Sequence, residues 1–288
     1  MNKPLFTGVC TALVTPFING RINYPMVDLL INRQCESGIP AIVLAGTTGE
    51  APTLSDEEKI ELFCRGKAAA KNRCKIIAGT GSNDTAHAIN LSIAAEKAGA
   101  DGLLVVSPYY NKATPEGLLA HYLAIAHAVS IPIIIYNVPS RTGQDIPVSV
   151  YKRLSRIPNI VGVKEASDDI TKITRIRNVC GTDFAVWTGN DDLTVAACSL
   201  GAQGVISVTS NLLPREVRDM TSAALDGDFD TASDLQCRLQ PINALLFSQV
   251  NPIPLKAAMK RIGYDCGACR LPLTELSLEY QQKLEELL

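Results

Sequence analysis

Histidine is scarce: His87, His121 and His127 are the only three in 288 residues. All three fall in segments whose apolar spacing predicts helices, away from the ends of predicted strands. There is no HExxH, no facing pair of carboxylates and no Walker A stretch. Metal-assisted hydrolysis and Ser-His-Asp catalysis therefore lack their parts. An excess of positive charge is missing as well. Lys and Arg number 27 against 29 Asp and Glu, a net charge of -2, which leaves no electrostatic footprint for nucleic acid. No apolar run reaches the roughly 18 residues that a bilayer requires. The opening stretch MNKPLFTGVCTALVTPF interrupts its apolar residues with Thr, Gly and Pro and offers no small-residue cleavage site. It reads as the lead into a first strand, not as an export signal. A dinucleotide fingerprint after the first strand is also absent. Gly79-Thr80-Gly81 starts one after the third apolar run, but Asp84 stands where its last glycine belongs.

Cysteine is not scarce, at nine. Cys35, Cys64, Cys180 and Cys198 sit inside helical or strand patterns, where cysteine behaves as a small hydrophobe. Free thiols in that number suit a reducing compartment, and a cytoplasmic location is expected. Cys266-Gly-Ala-Cys269 is a lone CxxC with no second pair and no nearby histidine, which makes it a coincidence of spacing rather than a metal or redox motif.

What remains is a regular alternation. Short β-branched runs stand at 9–17, 41–46, 75–81, 102–108, 132–139, 159–166, 184–191 and 204–208. Helical patterns occupy 25–37, 55–70, 84–98, 115–129, 147–155, 170–179, 190–200 and 214–226. Each run is nearly all apolar, as in parallel strands covered on both faces. Eight such units predict a (β/α)8 TIM barrel over 1–226. An open doubly wound sheet is the runner-up. Residues 227–288 are helical in pattern and predict a C-terminal helical extension with no flexible linker before it.

The active sites of such barrels gather at the C-terminal ends of the strands. There the sequence places Gly46-Thr47-Thr48-Gly49-Glu50, Ser107-Pro108-Tyr109-Tyr110-Asn111, Tyr136-Asn137-Val138-Pro139-Ser140-Arg141-Thr142-Gly143, Lys164-Glu165 and Thr188-Gly189-Asn190-Asp191. Lys164 ends a buried run, whereas Lys75 only begins one. A buried ammonium is costly, and desolvation favours the neutral amine that attacks a carbonyl. Lysine with tyrosine suits Schiff-base chemistry, the phenol moving protons. Arg141 can hold a carboxylate bidentately, and Thr47 and Thr48 in their glycine-flanked turn can hold another. Taken singly, each residue has an ordinary structural explanation: a βα turn, an aromatic packing pair, a surface arginine, a solvated lysine. Their collection at one end of one barrel is what coincidence explains poorly.

GTTGE, SPYYN, YNVPSRTG, GVKEAS and NPIPLK, with GVCTALVTPF at the start, resemble the pyruvate-dependent class I lyases and synthases, the family of dihydrodipicolinate synthase and N-acetylneuraminate lyase. The resemblance spans nearly the whole chain. It implies a lyase in which Lys164 forms a Schiff base with pyruvate and Tyr136 is the proton donor and acceptor. It also implies that Thr47 and Tyr110 complete a relay, Tyr110 reaching in from a neighbouring subunit. Thr48 and the backbone at Ile206 contact pyruvate, and Gly189 shapes the site. The arginine of YNVPSRTG points to the synthase branch, with L-aspartate-4-semialdehyde as second substrate, held by Arg141. The product is 4-hydroxy-tetrahydrodipicolinate, the first committed step of diaminopimelate and lysine biosynthesis. A sugar-acid aldolase of the N-acetylneuraminate lyase kind is the alternative. The resemblance implies no cofactor and no metal, no nucleic-acid or membrane partner, and a homo-oligomer of at least two chains, a tetramer being expected.

One departure matters. Lysine-inhibited members of the family bind lysine with the first tyrosine of the pair, the Asn of GTGxN, an acidic residue on the following helix and histidines after TTGE. Tyr109 and Asn83 are kept here, but the acidic position is His87, and the histidine positions read Asp56 and Lys59. Weak or absent inhibition by lysine is expected, because a cationic ligand loses its carboxylate.

Overall fold

A computed structural model describes residues 4–288; Met1 to Lys3 of the predicted lead-in lie outside the described residues. In chain order the elements are β1 (Gly8–Ala12), β2 (Phe17–Ile18), β3 (Arg21–Ile22), α1 (Tyr24–Glu36), β4 (Ala41–Leu44), α2 (Asp56–Ala70), β5 (Lys75–Gly79), α3 (Thr85–Lys97), β6 (Gly102–Val106), α4 (Pro115–Ala128) and β7 (Ile133–Asn137). They continue as α5 (Pro139–Thr142), α6 (Val148–Leu154), β8 (Ile160–Glu165), α7 (Thr171–Cys180), β9 (Ala185–Thr188), α8 (Thr194–Ser199), β10 (Gly204–Ser207), α9 (Pro214–Asp226), α10 (Phe229–Leu246), α11 (Ile253–Arg261) and α12 (Leu278–Leu287).

Eight parallel strands close in the order β1-β10-β9-β8-β7-β6-β5-β4, so the predicted barrel is the observed one. The strands are apolar on both faces because both faces are covered. Side chains such as Cys10, Val43, Ile77, Leu104, Ile134 and Trp187 fill the barrel interior. A second, larger core lies between strands and helices. Asn23, Ser55, Asp84, Thr114 and Asp228 cap the starts of α1, α2, α3, α4 and α10, each accepting from a backbone N–H. At α2, Glu58 N–H donates to Ser55 Oγ (3.2 Å) and Ser55 N–H donates to Glu58 Oε2 (3.0 Å), a reciprocal box.

Several runs overshoot their strands by two or three residues, and three departures change the local structure. The first run does not stay in the barrel to residue 17: β1 stops at Ala12, and Phe17–Ile18 pairs antiparallel with Arg21–Ile22. Pro16 has no N–H to give a neighbouring strand, and Phe17 N–H turns to Cys266 O (2.9 Å). The run expected over 132–139 ends at Asn137, and the short helix α5 follows from Pro139. The helix expected from residue 190 opens with a 3-10 turn, Asp191–Leu193, before α8. At the C-terminus, Leu239, Ile242, Leu246, Ile253 and Leu284 belong to the same apolar core as the barrel helices. The helices after residue 226 are thus continuous with the barrel's packing.

Candidate active site

Strand register decides which residues meet. Tyr136 of β7 pairs with Lys164 of β8, and Asn137 pairs with Glu165. Val161 is an extra residue in this ladder, since Ile160 and Gly162 oppose the consecutive Ile133 and Ile134. Side chains alternate along a strand, so Tyr136 and Lys164 share the interior face while Asn137 and Glu165 share the outer one. Inside, the Lys164 Nζ lies 4.4 Å from the centroid of the Tyr136 ring.

The outer pair is tightly bound. Asn137 Nδ2 donates to Glu165 Oε1 (2.9 Å) and to Asp145 Oδ1 (2.8 Å). The Tyr151 hydroxyl donates to Glu165 Oε2 (3.4 Å), and Ser167 N–H donates to Glu165 Oε1 (2.9 Å). Burial, with the Glu165 charge beside it, pushes the Tyr151 phenol well above its usual range. Lys172 is buried against Glu165 (3.6 Å) and also pairs with Asp145.

Among the described residues four lysines are buried: Lys59, Lys164, Lys172 and Lys256. Lys59 has Asp56 at 3.5 Å, Lys172 has Glu165 and Asp145, and Lys256 has Glu50 at 2.6 Å. Lys164, 5% exposed, is the one of the four with no carboxylate in salt-bridge reach among the described residues.

The loop after β4 is built under strain. Ala45 (φ 51°) and Glu50 (φ 57°) bracket Gly46-Thr47-Thr48-Gly49, and neither is glycine. The surroundings over-determine it. Thr15 Oγ1 donates to Gly49 O (2.7 Å), Arg270 N–H donates to Glu50 Oε2 (2.8 Å), and Asn251 Nδ2 donates to Thr48 Oγ1 (2.9 Å). Gly79 is required here, because a Cβ would stand 2.3 Å from the Ala45 carbonyl oxygen.

A cavity of about 570 Å³ opens at this end of the barrel, and Lys164, Tyr136, Thr47, Thr48, Arg141 and Gly189 all line it. Six of the eight residues singled out from sequence are thereby brought together. Arg141, on α5, stands exposed at the rim, its Nη2 donating to Asn251 O (3.4 Å). Gly189 lies against the lysine: a Cβ there would be 2.7 Å from Lys164 Cε. Ile206 lies buried in β10 among the interior side chains, and Val208 lines the cavity instead. The end of β10 is fixed by the buried Asp191, which accepts from Ser207 Oγ (2.5 Å) and Val208 N–H (2.8 Å). Burial raises the Asp191 carboxyl above its ordinary range, although those hydrogen bonds pull the other way.

Tyr110 is not brought to this cavity within one chain. It is 92% exposed and held at φ 69°. The residues that sequence reasoning missed come from the C-terminal part. Asn243, Phe247 and Asn251 line the cavity, with Asn251 bridging Thr48 and Arg141. NPIPLK marked the neighbourhood of Asn251, but nothing in α10 marked Asn243 or Phe247.

A second cavity of about 470 Å³ shares Thr47, Tyr136 and Arg141 with the first and runs to Asp56, Lys59, Ser82, His87 and Tyr109. His87 Nε2 is 2.9 Å from both Asp56 oxygens. This hydrogen bond holds the Asp56 carboxyl below its usual range. The expectation that this region has lost its carboxylate needs correcting. One is present on the opposite wall, engaged by His87 and Lys59.

Among the described residues no group of three or more His, Cys, Asp or Glu side chains could hold a metal ion, Cys266 and Cys269 included. No helix there is long and apolar enough to cross a membrane.

A closed parallel barrel that brings a buried unpaired amine, a phenol, two threonine hydroxyls and a rim guanidinium to one cavity defines a barrel enzyme for carbonyl chemistry on small acids. The chain belongs to the dihydrodipicolinate synthetase family, whose model matches residues 5–288. It is 47% identical over 281 residues to the 4-hydroxy-tetrahydrodipicolinate synthase of Thermoanaerobacter sp. (strain X514), covering 96% of this chain and 95% of the relative. Among solved structures it is similar to dihydrodipicolinate synthase from Aquifex aeolicus, at 44% identity and a TM-score of 0.96, over 98% of this chain and 97% of the other. The chloride-inhibited synthase from Acinetobacter baumannii, complexed with pyruvate, matches with 40% identity and a TM-score of 0.95, over 98% of this chain and 97% of the other.

Proposed function

We propose that the chain condenses pyruvate with L-aspartate-4-semialdehyde to 4-hydroxy-tetrahydrodipicolinate, the entry to diaminopimelate and lysine synthesis. The observation that carries this reading is Lys164: buried, without a carboxylate, and against the Tyr136 ring at 4.4 Å. The neutral amine attacks the keto carbon of pyruvate, and water leaves as the imine forms. Tyr136 carries protons between the amine, the departing hydroxyl and the methyl carbon. Loss of a methyl proton gives the enamine, whose carbon attacks the aldehyde. The amino group of the semialdehyde then closes the ring and releases Lys164.

The other residues take roles that fit their places. Thr47 joins the relay to Tyr136. Thr48 and the backbone at Ile206 receive pyruvate, with Asn251 orienting the Thr48 hydroxyl (2.9 Å). Gly189 leaves room for the lysine side chain. Arg141 at the rim holds the semialdehyde carboxylate in a fork. Tyr110, exposed and strained, completes the relay in the site of a neighbouring subunit, which calls for at least a dimer, and we take the assembly to be a tetramer in the cytoplasm. Residues 1–226 are read as the catalytic barrel and 227–288 as a helical extension that also roofs the cavity.

The test is turnover by purified protein. Pyruvate with the semialdehyde is coupled to the product's reductase and followed by NADPH loss. Pyruvate with N-acetylmannosamine runs in parallel. Turnover with the semialdehyde alone supports the reading, and turnover with the sugar alone overturns the role given to Arg141.

A further inference from the structure

At the opposite end of the barrel from the cavity, two cysteines distant in sequence meet. Cys35 is the penultimate residue of α1, and Cys74 immediately precedes β5. Their Sγ atoms are 3.0 Å apart, at a sequence separation of 39. That distance lies between the ~2.05 Å of a disulfide bond and ordinary contact between thiols. Cys35 is half-buried and Cys74 is buried, and both are free thiols. Arg73 stands beside them. Its guanidinium is fixed by Ala69 O (2.9 Å), by Ala70 O (3.1 Å) and by the Asn32 side chain of α1. We propose that Cys35 and Cys74 form a reversible thiol–disulfide site, oxidised by small-molecule disulfides, that clamps α1 to the start of β5.

The environment assigns the two sulfurs different parts. The Cys74 sulfur within hydrogen-bond reach and the Arg73 charge together lower the Cys35 thiol below its usual range, against the opposing effect of burial. Cys74 is pushed the other way by the same hydrogen bond and by burial. Cys35 is the more exposed of the two sulfurs and stands beside the Arg73 guanidinium, so it is the thiolate that attacks, and the buried Cys74 resolves. In the first step the Cys35 thiolate attacks one sulfur of the small disulfide. A mixed disulfide forms and one small thiolate leaves. In the second step Cys74 gives its proton to that thiolate or to water, and its sulfur attacks Cys35 Sγ. The protein disulfide forms and the second small thiol leaves. Two protein thiols are oxidised and one small disulfide is reduced to two thiols.

The bond encloses β4, the strained Thr47-Thr48 loop and α2, but it forms at the strand-start face. The oxidised protein therefore keeps its catalytic end and gains cross-link stability. Closing a loop of this length in a chain of this size is worth a rise in Tm of about 5 °C.

Full-length protein is incubated with oxidised glutathione, alkylated, digested with trypsin and mapped by mass spectrometry, with melting curves in parallel. The expected result is loss of two alkylatable thiols, a cross-linked pair of peptides carrying Cys35 and Cys74, the Tm rise, and full reversal by dithiothreitol. Cys74→Ser should trap glutathione on Cys35 with no rise in Tm. Should that variant not fold, Cys35→Ser serves, leaving Cys74 unmodified. Oxidation confined to the exposed Cys64 and Cys237 overturns the proposal, and so does a cross-link that leaves Tm unchanged.

Discussion

Replacing Gly189 by alanine tests whether Lys164 is held in one productive position. The Gly189 backbone lies outside the left-handed region, so alanine is conformationally allowed and even restricts the unfolded chain slightly. The perturbation is steric. The new Cβ would stand 2.7 Å from Lys164 Cε and 2.6 Å from Ala166 Cβ, where ordinary contact begins at 3.4 Å. Ala166 cannot swing away, because its only side-chain carbon sits on the backbone just past β8. The lysine can, and it must retreat by about 0.7 Å. A displacement of that order at a reacting atom costs on the order of 30- to 100-fold. This corresponds to about 2–3 kcal/mol in kcat/KM at ~1.36 kcal/mol per decade. Overpacking against Ala166 adds a stability cost of about 1–3 kcal/mol, a fall in Tm of about 2–5 °C. The coupled NADPH assay gives the rates for both substrates, and borohydride reduction with labelled pyruvate counts the Lys164 adducts formed per unit time. Trapping should slow in proportion to kcat/KM while the folded fraction at 25 °C is unchanged. Activity within threefold of the parent, in a protein that melts as predicted, would refute the reasoning: the cavity would then tolerate a lysine displaced by most of an ångström.

Lys164→Ala should abolish both borohydride trapping and turnover, at least about 10³-fold, and persistent trapping would place the nucleophile elsewhere. Arg141→Ala should raise KM for the semialdehyde by about 10- to 100-fold, the worth of a charge-assisted bidentate contact, and leave KM for pyruvate within about threefold. An equal rise in both constants would move Arg141 to a general electrostatic role. His121 is buried on α4, its Nδ1 2.9 Å from Thr85 Oγ1, and burial pushes its imidazole down to about 4. Its folded form is neutral, so between pH 6.5 and 4 the unfolded chain binds a proton that the folded chain does not. Stability should therefore fall as pH drops through that window, by up to about 3 kcal/mol, and His121→Gln should flatten that part of a denaturant titration. Lysine should inhibit only at millimolar concentration, because the Asp56 carboxylate is taken by His87 (2.9 Å) and Lys59 (3.5 Å); half-inhibition at micromolar lysine would show that the ligand displaces them.

The barrel was legible because its strands are short β-branched runs and each run is followed by a helical period. The site was legible for the same reason: in a parallel barrel the residue that ends a run is already at the catalytic end. Boundaries failed where a side chain or a missing N–H changes the partner. Pro16 and the bond from Phe17 to Cys266 take the chain out of the barrel early. The roof of the cavity was not legible. Asn243 lies on α10 and Phe247 caps its end, and the pattern of α10 announces an amphipathic helix but not what its inner face covers. The carboxylate of the second cavity was missed because position by position it seemed lost. Only the contact between α2 and α3 shows that Asp56 faces His87. Cys35 and Cys74 could not be paired either, since neither α1 nor the turn before β5 carries a signal of their distance.

One feature of the strands ties the two faces of the site together. Tyr136 and Lys164, which point inward, are each followed by a residue that must point outward. Those residues, Asn137 and Glu165, bond to each other (2.9 Å) and to Asp145, Tyr151 or Lys172. A slip of one residue between β7 and β8 would bring Glu165 into the cavity and Lys164 onto the helix side, breaking every one of these contacts. The extra residue at Val161 makes such a slip conceivable, because it already breaks the even pairing lower in the ladder. The buried polar cluster is weak evidence for stability, since apolar residues of the same volume could replace it. Its value lies in register. Ion pairs on the outer face favour the register that presents Lys164 inside, against the Tyr136 ring and with no carboxylate in salt-bridge reach among the described residues.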